Sequence, residues 1–134
     1  MNEHSFVKSI SRYIAKNHPD VYSWKIHNKF TNGVPDSWHH GPFGKSVFVE
    51  YKYHKQLPKR DGTMIVPGLS KLQIQWLTER TAALINCAVV LGIGDTAVFL
   101  DDMKEITHGI ETKDYKARCI DREKLAARIA SECT

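Results

Sequence analysis

Three residues of this chain have the types and the spacing to do chemistry together: Asp36, Glu50 and Lys52. Glu50 and Lys52 lie in Val47-Phe48-Val49-Glu50-Tyr51-Lys52-Tyr53, an aromatic and β-branched run of high strand propensity, where burial of at least one face is expected. Charges in such a run call for a reason. On a strand, side chains two apart share a face, so Glu50 and Lys52 point one way while Val47, Val49, Tyr51 and Tyr53 point the other. One face is then apolar and its opposite carries the chemistry. Fourteen positions before Glu50, Gly33-Val34-Pro35-Asp36 is a turn signal leading into a second short extended segment that opens with an acid. That separation is long enough for a hairpin return. If the two segments pair, Asp36 and Glu50 can share one cation, with the Lys52 amine beside it.

The flanking elements must hold these groups in place. Residues 3 to 16 read as a helix, because Phe6, Val7, Ile10, Tyr13 and Ile14 recur at three- and four-residue spacing, and Pro19 prevents much continuation. Glu3, four before Val7 and seven before Ile10, falls on the inward stripe of that helix; it either favours the helix dipole from the first turn or faces a metal. Val21 to His27 alternates as a strand, Asn32-Gly33 closes a turn, and Ser37-Trp38-His39-His40 is extended up to a second turn at Gly41-Pro42. After the Glu-x-Lys strand, the stretch from Tyr53 to Leu69 is rich in turn formers and carries His54, Lys55, Lys59 and Arg60, which reads as an exposed basic loop.

Ser70 with Gln73 has the spacing of a capping box and starts a helix running to about Leu84, with Leu69, Leu72, Trp76 and Leu77 as its buried side and Gln73 tending inward with them. Cys87 to Leu91 reads as a buried strand, Gly92-Ile93-Gly94-Asp95 as a hairpin turn and not a phosphate loop, and Thr96 to Leu100 as the return strand. A last helix runs from about Asp121, its cap, to Ser131, with Leu125, Ala126 and Ile129 on one side. Trp24 and Trp38 are expected in the core.

At 134 residues the chain is expected to form a single domain, residues 1 to 134. Hydrophobic residues at 42% with charged ones at 25% exclude disordered and fibrous classes. The longest apolar run, Cys87 to Ile93, is too short to span a bilayer, and the N-terminus lacks a secretory pattern. Cys87, Cys119 and Cys133 are an odd number without metal-type spacing, which suggests reduced thiols in a cytoplasm. A net charge of +4 favours an anionic partner only weakly.

Taken together, Gly33-Val34-Pro35-Asp36 and Glu50-Tyr51-Lys52 resemble the two-part signature of the PD-(D/E)XK nuclease superfamily. More narrowly, with Leu69-Ser70-Lys71-Leu72-Gln73 and the Trp76 that follows, the sequence resembles the VRR-NUC (virus-type replication and repair nuclease) family, in its stand-alone phage and bacterial form. The resemblance covers roughly residues 3 to 100. It implies an α/β fold with a restriction-endonuclease-like core: a mixed central sheet flanked by helices, in the order αβββαβ, with C-terminal additions over about 101 to 134. It also implies a hydrolase, an endonuclease that needs Mg²⁺ or Mn²⁺, cuts branched DNA of Holliday-junction or flap type, leaves 5′-phosphate ends, acts in DNA repair and works as a homodimer.

The chemistry suits the residue types, since two carboxylates holding a divalent ion can both generate the nucleophile and neutralise charge on a phosphodiester. Asp36 and Glu50 are the expected metal ligands, joined by resemblance by the backbone carbonyl of Tyr51 and by Glu3 for a second metal. Lys52 would orient or deprotonate the attacking water. Gln73 would, by resemblance, hold Lys52 or a phosphate oxygen. Lys55, Lys59, Arg60, His39 and His40 are candidate DNA contacts. The histidines lack companions for zinc.

Other readings of the same residues stay open. Glu50 and Lys52 as a surface pair would contribute under about 1 kcal/mol, Gln73 would serve equally as a helix cap, and the basic loop as a solvated surface. A DNA-binding module with little turnover and a restriction-type nuclease of the same superfamily are the alternatives for the whole chain.

Overall fold

A computed structural model describes residues 1–27 and 32–134. The chain begins with α1 (Glu3–Asn17), whose start is fixed by Asn2: its Oδ1 accepts from the Ser5 amide at 2.9 Å while Ser5 Oγ accepts from the Asn2 amide at 3.1 Å. Phe6, Ile10 and Ile14 form its buried stripe. Then follow β1 (Tyr22–Lys25), β2 (Ser37–His40), β3 (Ser46–His54), β4 (Met64–Ile65), α2 (Lys71–Ala82), β5 (Cys87–Ile93) and β6 (Thr96–Leu100). The chain ends with α3 (Met103–His108), β7 (Ile110–Glu111), α4 (Thr112–Arg118), β8 (Ile120–Asp121) and α5 (Arg122–Ser131).

Six strands form one mixed sheet in the order β1-β2-β3-β5-β6-β8. Only β3 and β5 run parallel, which is why the long excursion through α2 separates them, whereas the tight turns at residues 41–45 and 94–95 join antiparallel neighbours. β5 is buried along its whole length, as a central strand covered on both faces should be. Its alternate side chains feed two apolar clusters. Ala88 and Val90 join Val47, Val49 and Tyr51 beneath α1 and α5. Val89 and Leu91 join Leu77, Val98, Leu100, Ile106 and Tyr115 on the other side, under α2, α3 and α4. Each fully buried aliphatic side chain contributes roughly 1.5–3 kcal/mol, so these two layers hold the sheet.

The face assignment of β3 holds in its alternation but not in its consequence. Val47, Val49 and Tyr51 do enter the α1/α5 layer, yet Glu50 on the opposite face is only 4% exposed, because that face too is covered. The expected helix from 3, the helix from Ser70 and the final helix capped by Asp121 all form.

Four elements between residues 103 and 121 had no signal in the sequence: α3 is six residues long and β7 and β8 two each, too short for periodicity to register. The basic stretch after β3 is tied down at its end, where β4 pairs with β7. Thr63 O accepts from both the amide and the Oγ1 of Thr112, at 2.9 and 2.7 Å, and Asp61 O accepts from the Lys113 amide at 2.9 Å. Leu72, expected on the buried side of α2, is 48% exposed, since the helix turns Leu77 and the edge of Trp76 to the sheet instead. Trp24 is 59% exposed and does not enter the core, because β1 is the edge strand and all four of its residues are exposed.

Candidate active site

Asp36 stands just before β2, opposite the middle of β3, and three contacts fix it. Its backbone carbonyl accepts from the Ile26 amide at 2.8 Å, its Oδ2 accepts from the Tyr51 amide at 3.1 Å, and the turn that precedes it is seated on the start of α2. The seat is Gly33. Its φ is +88°, and a Cβ at this position would run into the backbone carbonyl of Leu72 and the amide of Gln73. The acid-bearing turn and the Leu-Ser-x-x-Gln helix start are therefore one packed unit, which gives the two sequence motifs a shared physical reason. Gly33→Ala should cost more than about 2 kcal/mol of stability, from backbone strain and overpacking together. A shift of the urea midpoint checks this, and an unchanged midpoint would break the link between the two motifs.

Glu50 sits on β3 between β2 and β5, paired in register with Val89. Burial, and then the neighbouring Asp36 carboxyl, push its pKa up to about 8, while the Lys52 ammonium pulls the other way and loses. The two carboxyl groups lie close enough to share a hydrogen bond when one is protonated. Glu50 Oε2 is 4.0 Å from Lys52 Nζ. Glu50 Oε1 is buried with no hydrogen-bond partner among the described residues. Lys52 keeps a quarter of its side chain exposed, so its amine is open to solvent beside the two acids.

Those features fit a divalent ion. A buried carboxylate oxygen without a partner normally costs about 1–3 kcal/mol, and a cation is the partner that would remove that cost. Asp36 is exposed and Tyr51 N–H engages only its Oδ2. Among the described residues, no three His, Cys, Asp or Glu side chains gather tightly enough to ligate an ion by themselves. The set on offer is Asp36, Glu50 and a backbone carbonyl from Tyr51, whose own ring is buried and whose hydroxyl pKa is raised by that burial.

Glu3 stands apart from this pair. It is exposed in the first turn of α1 and lines the same cleft as Asp36, a space of ≈ 460 Å³ that also touches Lys25, His27 and Trp24. Its carboxylate still raises the Glu50 pKa slightly through space. Gln73 is half-buried and forms the capping box: its Oε1 accepts from the Ser70 amide at 2.9 Å, and Ser70 Oγ accepts from the Gln73 amide at 3.1 Å. That oxygen already accepts one bond and keeps a second lone pair, and the side-chain NH₂ is a donor suited to a phosphate oxygen.

Lys55, Lys59 and Arg60 are exposed, as is Asp61, which pairs with Lys116 at 2.8 Å. His40 is half-buried on β2 and its Nδ1 is bonded with the Gly41 carbonyl at 3.2 Å. His39 belongs to the same strand but faces the other way and is 2% exposed. Both of its ring nitrogens are taken, Nδ1 by Ser23 Oγ at 2.8 Å and Nε2 by Ser37 Oγ at 3.1 Å, and burial pulls its pKa down to about 4. A neutral, buried imidazole offers nothing to a phosphate. The period-2 rule applied to Ser37-Trp38-His39-His40 separates the two histidines onto opposite faces, a signal that the reading of both as DNA contacts passed over.

No protein-family model matches the sequence, and no curated protein sequence matches it either. Solved structures do. Hjc of Archaeoglobus fulgidus, a Holliday junction resolvase from an archaeal hyperthermophile, superposes with a TM-score of 0.58 at 14% identity, over 92% of this chain and 98% of its own. A VRR_NUC domain superposes with a TM-score of 0.45 at 19% identity, over 78% of this chain and 88% of that one. At 14% identity the likeness to the resolvase speaks for the fold alone. The chain thus has the mixed-sheet fold of the archaeal resolvase, with helices on both faces of the sheet.

Proposed function

We propose that this chain is a metal-dependent DNA endonuclease that takes Mg²⁺ or Mn²⁺, leaves 5′-phosphate and 3′-hydroxyl ends, and selects branched DNA. The observation that carries the proposal is the meeting of Asp36, just before β2, with Glu50 on β3, beside a buried carboxylate oxygen that has no hydrogen-bond partner among the described residues. The resolvase-like fold supports the choice of DNA, and the resemblance of the Gly33–Asp36 and Glu50–Lys52 segments supports the chemistry.

A divalent ion, when bound, supplies positive charge against the phosphate and acidifies water. Asp36, Glu50 and the Tyr51 carbonyl would hold it. The Tyr51 amide locks one Asp36 oxygen and so fixes the orientation of the other. Burial and the Asp36 carboxyl hold the Glu50 pKa up to about 8, and the deprotonated side chain would be the form that ligates the ion. Lys52, beside Glu50, would orient the attacking water, or deprotonate it as a neutral amine once its own proton has gone to solvent. Gln73 donates to a phosphate oxygen from the N-terminus of α2. Lys55, Lys59 and Arg60 grip the phosphates beyond the scissile bond.

The test is incubation of the purified chain with four-way junctions, flaps and linear duplex of matched sequence, in Mg²⁺ and in EDTA. Mg²⁺-dependent incision of the branched substrates with ligatable 5′-phosphate ends is expected. A mobility shift without new ends, with or without metal, would replace the enzyme by a binding module. A two-fold junction also asks for a two-fold protein. A solution mass of one chain at working concentration would remove the junction version and leave the flap version.

A further inference from the structure

We propose that an aromatic row on β1 and β2 is a stacking platform for the unpaired bases of a DNA strand whose backbone enters the carboxylate site; this rests on the nuclease reading above. The row follows from register. Trp24 pairs with Trp38 and Trp38 with Phe48 across three adjacent strands, and Tyr22 pairs with His40 one step further along. Side chains two apart share a face, so Phe48, Glu50 and Lys52 lie on one side of β3, and the aromatic row is on that same side of the sheet. The row and the acids are neighbours on one surface.

At one end the row is covered. Phe48 meets the Trp76 ring at 5.1 Å between centroids, and the Arg80 guanidinium lies 5.1 Å from the centre of Trp76. At the other end it is open, with Tyr22 55% and Trp24 59% exposed. Tyr22, Trp24, Trp38 and His40 belong to neither apolar cluster. The rings touch without stacking on one another: Trp24 and Trp38 are 6.4 Å apart and inclined at 57°, Trp38 and His40 4.8 Å apart at 39°, Tyr22 and Trp24 nearly perpendicular. Each exposed ring thus keeps part of a face free for another planar group.

The composition of the row decides what that group is. All four open positions carry a ring with a polar edge, and none is aliphatic. An apolar protein surface is matched by aliphatic side chains as well, whereas nucleobases stack on aromatic faces whatever their sequence. The row runs into a site suited to a phosphodiester, on a chain of net charge +4. A strand leaving a branch point has both the anionic backbone and the unpaired bases that this surface offers to hold.

The experiment measures binding in the absence of divalent metal, by fluorescence anisotropy of a labelled oligothymidylate and of a matched duplex. It compares the full wild-type chain with Trp24→Ala, with Tyr22→Ala and with Trp24→Phe. Because Trp24 is mostly exposed, its replacement leaves the two apolar layers intact, which circular dichroism verifies. Loss of a stacked base predicts about tenfold weaker binding of the single strand by Trp24→Ala, duplex binding unchanged within about twofold, and near-full retention by Trp24→Phe. Equal loss on both DNAs, or no loss on the single strand, overturns the platform. So does a fall in solution mass in Trp24→Ala, which would make the row a contact between two copies of the chain. The two proposals fail separately. A chain that cuts DNA with single-strand affinity indifferent to Trp24 loses the platform only; Trp24-dependent affinity in a chain that never cuts loses the nuclease only.

Discussion

Asp36→Asn and Lys52→Ala should each lower strand incision at least about a thousandfold while leaving DNA affinity within a few fold. The two substitutions act on different groups. Asn at position 36 keeps an oxygen for the Tyr51 amide, so the turn seated on α2 stays in place, but it removes the charge that would help hold a cation. Ala at position 52 removes the Lys52 amine beside Glu50 and leaves both carboxylates where they are. Single-turnover incision of a labelled branched substrate measures the loss, and a mobility shift in Ca²⁺ measures the affinity. If either variant cuts at the wild-type rate, the site lies elsewhere. Rescue of Asp36→Asn by higher Mg²⁺ concentrations but not of Lys52→Ala would further separate ligand from proton carrier.

Glu50→Gln should do two opposite things: abolish incision and stabilise the metal-free protein in mild alkali. The sign follows from the direction of the shift. In the folded chain Glu50 holds its proton up to about pH 8, against an ordinary value of 4.5, so between these values the folded state binds more protons than the unfolded one. Stability of the wild type therefore declines as pH rises through that window. Glutamine has no charge to bury. Thermal melts in EDTA should show the variant melting higher by roughly 5–10 °C at pH 8.5, on the order of 2 kcal/mol for a buried unpaired charge, and by little or nothing at pH 4. A wild type that is the more stable of the two at pH 8.5 would show that the Glu50 charge is satisfied inside the protein, and the case for a cation there would go with it.

What the sequence showed of this site depended on local rules with strong signals. The period-2 alternation of Val47 to Tyr53 put Glu50 and Lys52 on one face, and the turn chemistry of Gly33 to Asp36 brought the second acid to the same place. The capping box at Ser70 and Gln73 marked the start of α2 to the residue. What it did not show depended on which surfaces end up covered. Glu50 reads as surface chemistry until the covering of both sheet faces is known, and Trp24 reads as core until β1 is known to be an edge. Sheet order cannot be deduced from the elements alone, so both facts were out of reach. His39 is a different case, since alternation within Ser37 to His40 already separated it from His40. The short elements from 103 to 121 act through pairing with distant partners, Met64 with Glu111 and Thr96 with Asp121, and no local pattern records such contacts.

The pairing of Thr63 with Thr112 joins positions 49 apart in the chain and works as a clasp on the cationic segment that carries Lys59 and Arg60. How far those side chains can swing toward a bound polyanion is thus set from the carboxyl-terminal third of the polypeptide, which contributes nothing to the acids themselves. On the nuclease reading, grip and cutting would be mechanically separate: changes near Thr112 would retune the first without disturbing the second. Slow amide exchange at Thr112 and Lys113 would report the clasp closed, and its loss in Thr112→Ala with incision of short substrates preserved would demonstrate the separation.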